Sequence, residues 1–95
     1  MPELDPHLQA PARLKLMVLL TGVTEVEFAT VRDRLEVSDS VLSKHISTLA
    51  SAGYVRSRKG SYHGRRTTWV SLTRSGHRAV NDHVTALRQV IAGID

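Results

Sequence analysis

The stretch Ser38 to Leu72, SDSVLSKHISTLASAGYVRSRKGSYHGRRTTWVSL, carries one helix signal and one hairpin signal, and no carboxylate follows Asp39 in it. Ser38 is a good N-cap. Val41 or Leu42, Ile46 and Leu49 then recur at helical spacing, which predicts a helix running to about Ala52 with that stripe buried. Gly53 stands where a left-handed C-cap is wanted. Tyr54 to Lys59 reads as a strand, Gly60-Ser61-Tyr62-His63-Gly64 as a turn, and Thr67 to Leu72 as the returning strand. The β-branched and aromatic run Thr67-Thr68-Trp69-Val70 supports that last assignment.

Upstream, Phe28, Val31 and Leu35 fall on one side of a short helix over residues 28–35, and Glu36-Val37 turns the chain into the next helix. Thr24 to Glu27 alternates as a very short strand would. Leu8 to Leu20 reads as a first helix with Pro11 in its first turns, its apolar face made by Leu14, Met17, Val18 and Leu20. Downstream, Thr73 caps a final helix from about Arg74 to Ile94, at the small cost of Gly76 in its first turn. Residues 1–6 are expected to form a flexible arm, and 7–95 a single domain. The expected fold is mainly α with a small β-hairpin: a winged helix-turn-helix with a long C-terminal dimerisation helix.

Charge is sorted along the chain. Between Ser40 and Asn81 there is no acid, while Lys44, Arg56, Arg58, Lys59, Arg65, Arg66, Arg74 and Arg78 all fall there. The formal net charge is +4. A positive surface without interleaved acids suits a polyanion. Aromatic residues make up only 4%, so the core must be aliphatic, and a small aliphatic core gains from burying more surface in a dimer. The lack of cysteine excludes disulfides, thiolate metal sites and cysteine catalysis. The longest apolar run, Leu16 to Leu20, is too short to span a bilayer, and the acidic start Met-Pro-Glu-Leu-Asp is unlike a signal peptide. A cytoplasmic protein is expected, with no membrane partner.

A second helix laid across the first can enter the major groove of DNA. Removing the buried stripe of that helix leaves Ser38, Asp39, Ser40, Ser43, Lys44 and Ser47 outward, with His45 at the boundary. Short polar side chains allow close approach; Lys44 can meet a guanine edge or a phosphate. Asp39 suits the helix dipole, or could accept from a cytosine amino group. Serines are equally unremarkable on any surface helix, so the hairpin decides the reading. Arg56 and Arg58 share a strand face, and with Lys59, Arg65 and Arg66 they are expected to lack acid neighbours and to meet a phosphate backbone or a minor groove. Tyr62 and His63 at the tip either touch sugar and phosphate or simply form the turn. Trp69 is expected to pack on the inner sheet face.

Phe28-Ala29-Thr30-Val31-Arg32-Asp33-Arg34-Leu35, Leu42-Ser43-Lys44-His45-Ile46-Ser47-Thr48-Leu49 and Ala52-Gly53-Tyr54-Val55 resemble winged-helix transcriptional regulators of the MarR/ArsR type, the short members above all. The run Arg65 to Gly76 resembles their wing strand and the start of their last helix. The likeness covers about Leu8 to Ile91. It implies a homodimer with one recognition helix, about 38–52, per half-site of a near-palindromic operator. By position, Ser40, Ser43, Lys44 and Ser47 match family base or phosphate contacts, and Arg65 and Arg66 match wing contacts. Metal-sensing relatives carry a cysteine box, which this chain lacks, or paired ligands along the last helix. Here His77, Asp82 and His83 are followed by Leu87, Val90 and Ile91. No metal or cofactor is therefore expected, and the short chain leaves a small-molecule effector open.

Val80, Val84, Leu87, Ile91 and Ile94 are spaced four, three, four, three, as in a helix-packing seam. They either cover the chain's own core or, where the helix overhangs it, meet a second copy, with Leu8 and Leu14 packing alongside. The expected partners are double-stranded DNA and the chain itself, and the expected activity is transcriptional regulation, by repression. The alternative is a winged helix used as a protein-interaction module in a larger complex. No serine, histidine and acid are placed to form a catalytic set, so an enzyme is not expected.

Overall fold

The computed structural model describes residues 3–93. After a single 3-10 turn, Pro6–Leu8, the elements are α1 (Pro11–Thr21), β1 (Val26–Glu27), α2 (Phe28–Leu35), α3 (Asp39–Ser51), β2 (Val55–Tyr62), β3 (Arg65–Leu72) and α4 (Arg74–Ala92). The strands form one antiparallel sheet in the order β1-β3-β2. Leu16, Met17 and Leu20 of α1, Val31 of α2, and Leu42, Ile46 and Leu49 of α3 meet Val55, Val70 and Val80 in one core. Each such side chain removed from water contributes about 1.5–3 kcal/mol before ordering costs are met.

Local chemistry sets the boundaries. Ser38 Oγ accepts from Val41 N, capping α3. Its end is a Schellman turn: Gly53, at φ +81°, lets Tyr54 N reach Leu49 O at 2.9 Å. Glu36, at φ 54°, closes α2 the same way and makes the turn into α3 tight. Leu42 rather than Val41 fills the buried stripe; Val41 stays 41% exposed. In α1 the stripe runs through Leu16, while Val18 faces outward.

Three sequence expectations are corrected. The first helix does not run unbroken from Leu8, because Pro11 occupies its first position and holds Ala10 extended (ψ 123°), which separates the 3-10 turn from α1. The turn of the hairpin is not five residues long. Both strands continue to Tyr62 and Arg65, leaving His63 (φ 51°) and Gly64 (φ +75°), the two left-handed positions of a type I′ turn. The arm assigned to residues 1–6 is docked at its end. Asp5 N donates to His83 Nδ1 at 2.9 Å, Tyr54 Oη donates to Asp5 Oδ2, and Leu8 beyond it is fully buried. Met1 and Pro2 lie outside the described residues.

α4 begins where Thr73 Oγ1 accepts from Gly76 N and donates to Gly53 O. Gly76 has a steric reason rather than a cost: a Cβ there would lie 2.1 Å from Tyr54 O. The first two-thirds of α4 buries Ala79, Val80, His83 and Ala86 against the domain; further along, Val90 and Ile91 are 53% and 66% exposed. None of the described helices is long and apolar enough to cross a membrane.

Candidate nucleic-acid interface

Because strand residues alternate, the hairpin has two unlike faces. Val55 and Val70 point into the core, so Ser57, Lys59 and Ser61 of β2 and Thr68 and Arg66 of β3 continue the core side outward beyond the core. That side looks across to α3. Between them lies an open groove of about 540 Å³, with Ser43, Ile46, Ser47 and Ala50 on one wall, Ser57, Lys59 and Thr68 on the other, and Phe28 and Asp39 at its edges. A second hollow of about 350 Å³ next to it joins Lys59 and Thr68 to Arg66 and Thr67. The small-polar helix and the cationic hairpin therefore share one side of the molecule.

Ser38, Ser40, Ser43, Lys44 and Ser47 are all exposed. Ser38 spends its hydroxyl on the helix cap and lies 3.3 Å from Ser40 Oγ. Asp39 is held by Arg32, whose Nη1 donates to Oδ1 at 3.0 Å, while Arg32 Nε donates to Asp33. Hydrogen bonds to Asp33 and Asp39 push the Arg32 pKa up. The pair ties α2 to the first residue of α3 and leaves Asp39 a structural partner. His45 is half-buried, and burial, then the Arg13 charge, push its pKa down.

The outer hairpin face carries Arg56, Arg58 and Tyr62 on β2 opposite Ser71, Trp69 and Arg65 on β3. Here the expectation that no acid lies near the hairpin arginines fails. Arg58 Nε donates to Glu25 Oε2 at 3.0 Å and its Nη2 to Oε1. Those hydrogen bonds lower the Glu25 pKa and raise that of Arg58. Trp69 also lies on this outer face rather than the inner one, with Arg58 Cζ 5.6 Å from its ring centroid and the Tyr62 ring edge-to-face with it, centroids 5.6 Å apart. The cause is parity: Val70 takes the inward position, so its neighbour must face out. Glu27 on β1 accepts from Thr67 Oγ1 at 2.8 Å. His63 stands at the tip with its ring against Tyr62. Lys59 Nζ donates to Thr68 Oγ1 at 3.1 Å. Arg56, Arg65 and Arg66 are exposed, and no described carboxylate pairs with them.

Ser57, Thr68, Phe28 and Ala50 were not anticipated as groove residues. Counting alternate positions outward from Val55 would have found Ser57 and Lys59 and separated them from Arg56 and Arg58.

The seam residues divide. Leu8 and Val80 are buried within the chain's own core and have nothing to offer a second copy. Leu14, Val84 and Leu87 are half-buried, Ile91 is exposed, and Ile94 lies outside the described residues. Among the described residues, no three His, Asp or Glu side chains cluster as a metal site would require. His83, weighed as a ligand, instead receives the Asp5 amide.

The sequence profile of the winged helix DNA-binding domain matches residues 12–91. The chain is 28% identical over 83 residues to the uncharacterized protein MJ0432 of Methanocaldococcus jannaschii, covering 87% of this chain and 90% of that protein. Its fold is similar to that of a transcriptional regulator homologue from Pyrococcus horikoshii, with a TM-score of 0.87 at 28% identity, covering 94% of this chain and 88% of that one. The fold is also similar to that of Sco5413, a MarR family transcriptional regulator from Streptomyces coelicolor. There the TM-score is 0.75 at 24% identity, over 94% of this chain and 61% of that one.

Proposed function

Since the chain belongs to the winged helix DNA-binding domain family, we propose that it is a cytoplasmic transcriptional regulator that binds a near-palindromic operator as a homodimer and represses by occupying it. The observation that carries this reading is the groove in which Ser43 and Ser47 of α3 face Lys59 and Thr68 of the hairpin. Asp39, the one acid at its edge, is paired with Arg32, which also holds Asp33. α3 would lie in the major groove, where Ser40, Ser43, Lys44 and Ser47 meet base edges and phosphates. Lys59 and Arg66 would follow the backbone, with His63 at the tip. Arg56 and Arg65 would reach the duplex only from the outer face, and Arg58 is already committed to Glu25.

A homodimer is supported by the distal half of α4. Val90 and Ile91 stand in water, and Leu87 is only half covered. Burying these on a second copy would contribute on the order of a few kcal/mol per subunit. Two-fold symmetry would place two α3 helices about one helical turn of DNA apart. Short serine contacts discriminate weakly alone, so paired half-sites would supply much of the specificity. The test is selection of bound duplexes from a random pool, followed by affinity at several salt concentrations. An inverted repeat bound with steep salt dependence is expected. Salt-insensitive binding, or none, would refute the reading and turn the basic face toward an acidic protein partner.

A further inference from the structure

On the outer face of the hairpin, a row of side chains climbs from the base toward the tip. Glu25 stands at the base, immediately before β1. Arg58 grips it with two donors and lies against the face of Trp69, and Trp69 and Tyr62 meet edge-to-face. The row needs a glycine in mid-strand. A Cβ on Gly60 would lie 2.9 Å from Trp69 Cδ1 and 2.8 Å from Arg58 Nη1, so its absence makes room for the indole. Strand β1 pairs with β3 only at Val26↔Val70 and Glu27↔Trp69. Beyond Trp69 the hairpin is a bare two-stranded ribbon, which by itself twists and flexes. Glu25 and Glu27, by contrast, are fixed directly to the start of α2, the first helix of the helix-turn-helix.

We propose that Glu25, Arg58, Gly60 and Trp69 form a brace behind the wing that sets where Lys59 and Arg66 stand over the groove, making them positioning residues for duplex binding. The inference rests on the reading of the groove as the duplex site. The ion pair is open to water, with Arg58 54% and Glu25 31% exposed. It therefore adds little to folding stability, and its consequence is geometric. A planar guanidinium that stacks and binds a carboxylate with two donors cannot be replaced by an ammonium.

The sign of one substitution separates this from a direct role of Arg58 on DNA. If Arg58 were a phosphate contact, Glu25→Gln would release it and remove a nearby negative charge, so binding would tighten; Arg58→Lys would be tolerated. The brace predicts the reverse. Both Glu25→Gln and Arg58→Lys weaken affinity about tenfold for a duplex selected by the native protein, through lost preorganisation. Trp69 is the only tryptophan, so its emission reads the brace without DNA. It should become more accessible to acrylamide in both variants while the far-ultraviolet dichroism stays native. Gly60→Ala, which changes no charge, should weaken binding and perturb the same emission. Native or tighter binding by Glu25→Gln or Arg58→Lys, or unchanged quenching, would overturn the inference alone. Absence of salt-sensitive duplex binding by the native protein would instead overturn the reading beneath it.

Discussion

Replacing Arg66 with alanine tests the groove assignment most directly. Three cations are proposed to meet the duplex: Lys59 and Arg66, which line the hollows on the α3 side of the hairpin, and Lys44, exposed on α3 itself. None has a described carboxylate partner. In a two-fold dimer they present six charges, and each neutralised phosphate contributes about 0.9 to the slope of log affinity against log salt, giving a native slope of about −5.4. Arg66→Ala removes two of the six and should bring the slope to about −3.6. Raising salt fourfold would then cost the native dimer roughly 2000-fold in affinity and the variant only about 150-fold. The assay is anisotropy of a labelled duplex titrated across salt concentrations. Arg56→Ala is the internal control, because that side chain lies on the outer hairpin face and is no part of the brace, and its slope should remain native. An unchanged slope in Arg66→Ala, or an equal drop in Arg56→Ala, would refute the division of the hairpin into a duplex-facing and a braced side.

Gly76→Ala should destabilise the domain by about 3 kcal/mol or more, read by denaturant melting, because the new Cβ meets the Tyr54 carbonyl and both are backbone-fixed. Leu87→Glu with Ile91→Glu should give monomers by sedimentation that keep native far-ultraviolet dichroism but melt at lower temperature, since the contribution of the second copy is lost; an unchanged mass would remove the α4 seam from consideration. The clip between the N-terminal segment and Tyr54 should show in the pH dependence of melting. Burial alone would raise the Asp5 pKa, but hydrogen bonds from Tyr54 and His7 outweigh it and hold it below the ordinary 3.8. Its stabilisation is thus complete above that value and is lost as pH falls through the lower folded pKa. The same hydrogen bond pushes Tyr54 up to about 12, so on the alkaline side stabilisation holds below pH 10.0 and fades toward 12. Tyr54→Phe should abolish the alkaline step and make the acid limb shallower.

The helices were legible because their signals are local. A serine cap, a stripe at spacing three and four, and a glycine at the C′ position fixed α3 and α2 to within a residue or two. The two strands were legible from β-branched residues, but the turn between them was not. A glycine in sequence marks either a turn or a place where a side chain lies across the strand, and Gly60 is the second kind. Likewise Gly76 reads locally as a poor helix residue; only the carbonyl of Tyr54, brought in from the end of α3, explains it.

Residue order alone determined the charge segregation, the succession of helices and strands, and hence the winged helix, since each depends on spacing within a few residues. It could not determine which arginines are free. Glu25 and Arg58 are 33 positions apart, and their meeting depends on β1 lying beside β3, a pairing made by the folded sheet. Tertiary packing likewise sent Trp69 outward once Val70 turned in. It buried Leu8 and Val80 in the chain's own core and left Ile91 in water, because a helix is apolar by its pattern but is covered only as far as the rest of the domain extends.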